Sequence, residues 1–137
     1  MGQYHIPVNL TKRQYIDPHR LGCGLKQWEQ IAAHPSTGTA LLVLLFSSNC
    51  RGGGDLAHDP IVGSWAGDQI AIIGDYSEDD DLAPEHVAST IYGRCGRGAD
   101  EPYVDVTDAV VKVIELELGM HCVGTGWKDW VKPGRSL

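Results

Sequence analysis

Three glycine–aspartate pairs in the middle of the chain are its most promising candidates for chemistry. They are Gly54-Asp55, Gly67-Asp68 and Gly74-Asp75, and Arg51 and Trp65 lie beside them. Glycine lets the backbone adopt positive φ angles or approach a ligand closely, and the aspartate adds a short hydrogen-bonding carboxylate. The region therefore predicts either a binding surface or a set of tight turns.

The loop from Arg51 through Gly52, Gly53 and Gly54 to Asp55 is the part that turn chemistry does not require. Its backbone amides are able to cradle a small anion, as glycine-rich phosphate loops do. The loop nevertheless lacks the Walker spacing, the Lys-Ser/Thr that follows it and the spaced glycines of a dinucleotide fold. A flexible connection between a buried helix and the next strand is the competing interpretation.

His19 and Cys23 form a second candidate site. His19 follows Asp17 and Pro18 and can act as a general base, and Cys23 is a thiol between two glycines. No third group that would orient such a pair is visible. A turn histidine that hydrogen-bonds to the backbone is therefore the favoured interpretation.

Neither a metal nor a cofactor is predicted. The four cysteines show no Cys-x-x-Cys spacing and no dense disulfide framework, so we expect reduced structural thiols and a cytoplasmic protein. His121 and Cys122 are adjacent and would point apart on a strand. The acidic run lacks the mid-loop glycine and the closing glutamate of a calcium loop.

The charge of the chain and its distribution indicate which class of macromolecule the protein binds. The chain has 137 residues and a net charge of −7, which is unevenly distributed. Residues 1–54 carry five basic and two acidic side chains, whereas residues 55–137 carry six and sixteen. An acidic surface repels phosphates, which disfavours nucleic acid and favours a protein partner with a basic surface. The densest acidic run, Glu78 to Asp81, is interpreted as a solvated loop whose charges repel and keep it extended. The longest apolar run in the sequence is too short to cross a membrane.

Two hairpins are predicted. The first has strands over Tyr4–Leu10 and Gln14–Asp17, and Pro7 places its first strand at a sheet edge or a bulge. The second has strands over Val62–Trp65 and Gln69–Gly74 with a turn at Ala66-Gly67-Asp68, and its second strand should be buried on both faces.

Three helical segments accompany these strands. Leu25, Trp28 and Ala32 indicate a short amphipathic helix. Ser36 or Thr37 caps a second helix through Leu41–Phe46, which is apolar nearly all round and so predicted to be buried, with a buried strand as the alternative. Val106 to Ile114 has helical periodicity with a stop at Gly119. The 77–102 segment should be loop-rich with one or two helical turns, and Trp127 and Trp130 should form a last strand or pack on the body.

Several motifs of the first 80 or so residues resemble a group of small uncharacterised bacterial and phage proteins. The motifs are Gly2-Gln3-Tyr4, Val8-Asn9-Leu10-Thr11-Lys12, Gly52-Gly53-Gly54-Asp55, Trp65-Ala66-Gly67-Asp68-Gln69-Ile70 and Gly74-Asp75-Tyr76. Gln69 stands where the group usually has Arg, which removes a cation beside Asp68. The resemblance implies an intracellular, often phage-associated protein and implies no mechanism.

These observations lead to one α+β domain over residues 1–137, with a small, mainly antiparallel sheet covered by two or three helices. The leading function is a non-enzymatic acidic binding protein, a phage-borne modulator or inhibitor of a host or defence factor. The alternative is a small-molecule or nucleotide-binding, hydrolase-like enzyme. Candidate binding residues are Arg51, Gly52, Gly53, Gly54, Asp55, Trp65, Asp68, Asp75 and His19, and a small anion is an alternative ligand.

Overall fold

The computed structural model describes residues 4–22, 28–31, 35–47, 59–83, 85–95, 101–123 and 129–131. Its strands are β1 (His5–Asn9), β2 (Gln14–Tyr15), β3 (Ile70–Gly74), β4 (Val104–Asp105), β5 (His121–Val123) and β6 (Asp129–Val131). Its α-helices are α1 (Thr37–Leu45), α2 (Ala88–Arg94) and α3 (Thr107–Leu118), and 3₁₀ turns cover Pro18–Leu21, Trp28–Gln30 and Asp79–Asp81. The fold is α+β, as predicted.

The main sheet has the strand order β3-β1-β2-β4. Strand β1 pairs antiparallel with both β2 and β3, while β2 and β4 are parallel. Strands β5 and β6 form a separate antiparallel pair. The predicted N-terminal hairpin and the predicted predominance of antiparallel pairing are therefore confirmed.

The prediction that Pro7 lies at a sheet edge is wrong, because β1 is flanked by strands on both sides. The carbonyl of Pro7 accepts a hydrogen bond of 3.1 Å from the amide of Ile16. Proline has no amide hydrogen with which to return that bond. The pairing of β1 with β2 consequently ends at Tyr15.

The second predicted hairpin is wrong in its first half. Residues 60–68 form successive turns, and β3 pairs with β1 instead. Two amides of this turn segment, those of Gly63 and Trp65, donate to the carbonyls of Val43 and Leu44 at the end of α1, at 2.9 Å each. Strand β3 itself is confirmed, but Ile72 is 49% exposed, so β3 is not buried on both faces.

Two apolar clusters hold the elements together. The first joins α1 and α3 to the turn segment through Leu44, Val62, Trp65 and Val110. The second lies on the sheet, where Ile6 and Val8 of β1 and Leu10, which follows it, pack with Ile73 of β3 and Ile91 of α2.

The helices follow the predicted pattern with one correction. Helix α3 buries Val110, Val113 and Ile114 and ends at Gly119, whose φ is 62°, as predicted. Helix α1 exists where it was predicted, but it is not buried all round, since Leu42 is 61% exposed.

Two remaining predictions concern Trp130 and the segment around Leu25–Ala32. Trp130 lies in β6 and its indole donates to the carbonyl of Leu21 at 2.8 Å, so it both extends a strand and packs on the body. The amphipathic helix predicted around Leu25–Ala32 falls largely outside the described residues, of which Trp28–Gln30 form a 3₁₀ turn.

Candidate functional site

The predicted site residues Arg51, Gly52, Gly53, Gly54 and Asp55 lie outside the described residues, as does Cys23. The predicted anion loop therefore stays a prediction. The other predicted site residues, Trp65, Asp68, Asp75 and His19, are described and can be placed.

Trp65 is a core residue rather than a wall of an open site. It is fully buried, and its indole nitrogen donates a 2.8 Å hydrogen bond to Oε1 of Gln14. The bond satisfies the one polar atom of a large side chain in the apolar cluster, as buried tryptophans require.

Asp68 belongs to a polar clasp that fixes the first hairpin turn. Its carboxylate accepts a 2.8 Å hydrogen bond from Nδ2 of the buried Asn9 and forms an ion pair with Lys12. The ammonium of Lys12 also donates to the carbonyl of Ser64 at 2.5 Å. Hydrogen bonds from Asn9 and Lys12 lower the pKa of Asp68. Lys12 thus supplies the cation that Gln69 does not, and Gln69 contacts the ring of His86 instead.

Asp75 lies at the other end of β3 from Asp68. Its Oδ1 accepts a 3.1 Å hydrogen bond from the amide of Tyr4, which secures the start of β1. Seven residues of largely extended chain separate the two carboxylates by roughly 20 Å. Asp68 and Asp75 therefore do not line one cleft.

His19 lies in the 3₁₀ turn Pro18–Leu21, which packs near α3. Its amide donates to Oδ1 of Asp17 at 3.0 Å, and its carbonyl accepts from the amide of Gly22. The turn geometry that Pro18 predicted is present. No group of three or more His, Cys, Asp or Glu side chains within the described ranges is arranged to hold a metal ion.

The strongest concentration of charge is an exposed row of five carboxylates that we call the acidic ridge. Its members are Asp75, Glu78, Asp79, Asp80 and Asp81, and all five are exposed. The chain contains no Lys or Arg between Arg51 and Arg94. Among the residues that the structure describes, the ridge carboxylates have no ion-pair partner.

The ridge is exposed to solvent, as predicted, but hydrogen bonds hold its backbone in a turn, so the expectation that its charges keep the segment extended is wrong. Oδ2 of Asp81 accepts from the amide of Glu78 at 2.8 Å across the 3₁₀ turn Asp79–Asp81. Oδ1 of Asp79 accepts from the amide of Ser89 at 3.2 Å, which links the ridge to α2. Hydrogen bonds from the Ser89 side chain and amide lower the pKa of Asp79, so this carboxylate stays ionised in mild acid.

A cavity of about 330 Å³ opens beside the ridge. Tyr76, which is 65% exposed, and Leu82 supply apolar walls, Asp81 supplies a carboxylate, and His5 and Ile72 line the remainder. An aromatic ring and a carboxylate on one cavity suit a cationic side chain. The sequence showed the acidic run but not this cavity, because the cavity forms where β1 pairs with β3, and β1 is distant in sequence from β3 and the ridge.

The described residues include no helix with the length and apolar character needed to span a membrane. Comparisons with protein-family models, with curated proteins and with solved structures give no match to this chain.

Proposed function

We propose that this protein is a non-enzymatic binding protein whose acidic ridge docks onto the basic surface of a protein partner. The observation that carries the proposal is the ridge itself: exposed carboxylates without ion pairs in the described ranges, on a backbone ordered by hydrogen bonds. Fixed charges attract a complementary surface without the cost of ordering a flexible loop on binding.

Tyr76 is the anchor in this proposal. Exposed aromatic side chains contribute much of the energy of protein interfaces, and charged rims mainly set orientation and association rate. A lysine or arginine of the partner would enter the cavity between Tyr76, Leu82 and Asp81. Nucleic acid is a poor occupant, because its phosphates would be repelled by the ridge.

The resemblance to small bacterial and phage proteins supports a bacterial partner. We therefore propose a modulator or inhibitor of a host or defence factor that acts in the host cytoplasm. The hydrolase-like alternative gains no support from Asp68 and Asp75, which lie at opposite ends of β3, and it stays a prediction that depends on the Arg51–Asp55 loop.

Affinity capture from bacterial lysate tests the proposal when it is performed at about 50 mM and about 500 mM salt. The wild-type protein should retain a basic protein at low salt and release it at high salt. Tyr76→Ser should weaken the capture, and Tyr76→Phe should preserve it because the ring remains. A captured protein that resists high salt and is indifferent to Tyr76→Ser would contradict the proposal.

A further inference from the structure

Strand β3 is the last strand on one side of the main sheet, and its far side is here called the outer edge. Among the strands that the structure describes, β3 pairs only with β1. Its five residues, Ile70–Gly74, include neither a charged residue nor a proline. Edge strands commonly carry such residues, because a row of unpaired amides and carbonyls otherwise pairs readily with another strand. The outer edge of β3 lacks this protection.

The pairing with β1 determines which backbone groups of β3 face the outer edge. The carbonyl of Gln69 and the amide of Asp75 both bond to the β1 side, at 2.8 and 3.0 Å. Along an antiparallel pair, residues that bond to the neighbouring strand alternate with residues that do not. The backbone groups of Ile70, Ile72 and Gly74 therefore point away from β1, towards the outer edge.

The outward groups of Gly74 are already satisfied within the turn that follows β3. Its amide donates to Oγ of Ser77 at 2.9 Å, and its carbonyl accepts from the amide of Ser77 at 3.1 Å. The outward amides and carbonyls of Ile70 and Ile72 make no hydrogen bond to the described residues. Because Ile72 is 49% exposed, an approaching chain can reach these groups. They are the groups with which an added strand pairs.

The outer edge of β3 meets the cavity beside the acidic ridge. Ile72, whose backbone groups face outward, lines that cavity together with Tyr76 and Asp81. On neighbouring strands, residues directly opposite each other place their side chains on the same face, about 4.5–5.5 Å apart. A residue that pairs with Ile72 would therefore hold its side chain beside the cavity. The aromatic ring and the carboxylate favour lysine or arginine at that position.

Charge makes a second copy of this chain a poor occupant of the outer edge. Each copy has a net charge of −7, so two copies repel each other. The sequence has no Lys or Arg between Arg51 and Arg94, so β3 and its flanks bring no cation to the ridge of another copy. An extended segment of a basic partner satisfies both the backbone groups and the carboxylates.

We propose that the partner docks through an extended basic segment that adds a strand to the outer edge of β3. The segment pairs with the backbone of Ile70 and Ile72, and one of its lysine or arginine side chains enters the cavity beside Tyr76. This inference rests on the proposed function, because the acidic ridge selects the charge of the segment. It adds that recognition also uses main-chain hydrogen bonds, which require the segment to be extended.

Peptides selected from a random linear library against the full chain provide the probe. The selected peptides should be rich in lysine or arginine. N-methylation of a peptide amide removes its hydrogen and adds a methyl group, and only every second residue of a strand faces its neighbour. Methylation of one alternating set of amides should weaken binding at least about tenfold, whereas methylation of the other set should change it by less than about twofold.

A proline at position 72 tests the same bonds from the side of the protein. Ile72→Pro removes an amide hydrogen that β1 does not use, and edge strands tolerate proline where the amide faces outward. The peptide should bind at least about tenfold more weakly to Ile72→Pro, while the urea midpoint changes little. Ile72→Val keeps the amide and should weaken binding far less. If Ile72→Pro fails to fold, the methylated peptides still decide the question on the wild-type protein.

The outcomes separate this inference from the proposed function. The ridge variant Glu78→Gln with Asp80→Asn should also weaken the peptide. A basic peptide that responds to the ridge variant but shows no alternation on methylation would overturn strand addition and leave the proposed function intact. Selection of acidic or neutral peptides, or of none, would contradict both. A dimer in sedimentation that Ile72→Pro dissociates would assign the outer edge to a second copy and overturn the inference.

Discussion

Asn9 is the buried side chain on which the first hairpin turn depends. It is fully buried, its Nδ2 donates to Asp68, and its Oδ1 accepts from the amide of Lys12 at 2.8 Å. One amide group therefore serves as both donor and acceptor within the clasp. This role was not predictable from the sequence, because Asn9 and Asp68 are 59 residues apart and only the fold brings them together.

We expect Asn9→Ala to destabilise the protein by about 1–3 kcal/mol, since it removes a fully buried side chain and its hydrogen bonds to the Lys12 amide and the Asp68 carboxylate, which keeps only its ion pair with Lys12. Urea unfolding measures the change. Lys112→Ala, on the exposed face of α3, is the matched control and should change stability by less than about 0.5 kcal/mol. Equal effects of the two substitutions would show that the clasp contributes nothing.

The raised pKa values of Cys95 and Tyr15 predict that the folded protein loses stability at alkaline pH. Burial, with a smaller effect of Asp105, raises the pKa of Cys95 from 9.0 to about 12 and that of Tyr15 from 10.0 to about 12. The folded protein then keeps protons that the unfolded chain releases near pH 9.0 and 10.0. The stabilisation is thus fully present below pH 9.0 and is lost as the pH rises towards about 12.

The urea midpoint should fall over this range, and Cys95→Ala should reduce the dependence on pH. In the native protein at about pH 8, peptide mapping after alkylation should find Cys95 unmodified, because the thiolate is the reactive form. Rapid alkylation of Cys95 in the folded protein would contradict the assigned burial.

At the scale of elements, local patterns predicted the helices better than the strand pairing. Helix α3 repeats apolar residues at helical spacing, and Gly119 provides its left-handed stop, so its position followed from neighbouring residues alone. The conformation of the segment before β3 could not be predicted from neighbouring residues, because its amides donate hydrogen bonds to carbonyls at the end of α1, about twenty residues earlier in the chain. An apolar run likewise predicted α1 without revealing which face is buried.

The two faces of α1 can be compared with one substitution on each. Leu44→Ala removes a fully buried side chain and should cost about 2–5 kcal/mol, as truncations in packed cores do. Leu42→Ala, two residues away and 61% exposed, should change stability by less than about 0.5 kcal/mol. Thermal or urea unfolding of the pair checks the assignment, and a larger loss for Leu42→Ala would reverse it.

At the scale of the whole molecule, the distribution of charge was predictable from the sequence and its consequence for binding was not. The acidic excess after residue 54 and the run at Glu78–Asp81 are visible in the chain. The exposure of Tyr76 and the cavity that it shares with His5 and Ile72 depend on the pairing of β1 with β3. The two Gly-Asp pairs that the structure describes are separated, with Asp68 in the clasp and Asp75 at the ridge.

The most direct test of the proposed function is a charge-matched titration of the captured partner. Glu78→Gln with Asp80→Asn changes the net charge from −7 to −5 on the ridge, and Glu101→Gln with Glu117→Gln makes the same change elsewhere. We expect at least about tenfold weaker binding and a smaller salt dependence for the ridge pair, and a change within about twofold for the other pair. Equal affinities for the two double variants would contradict the ridge as the docking surface.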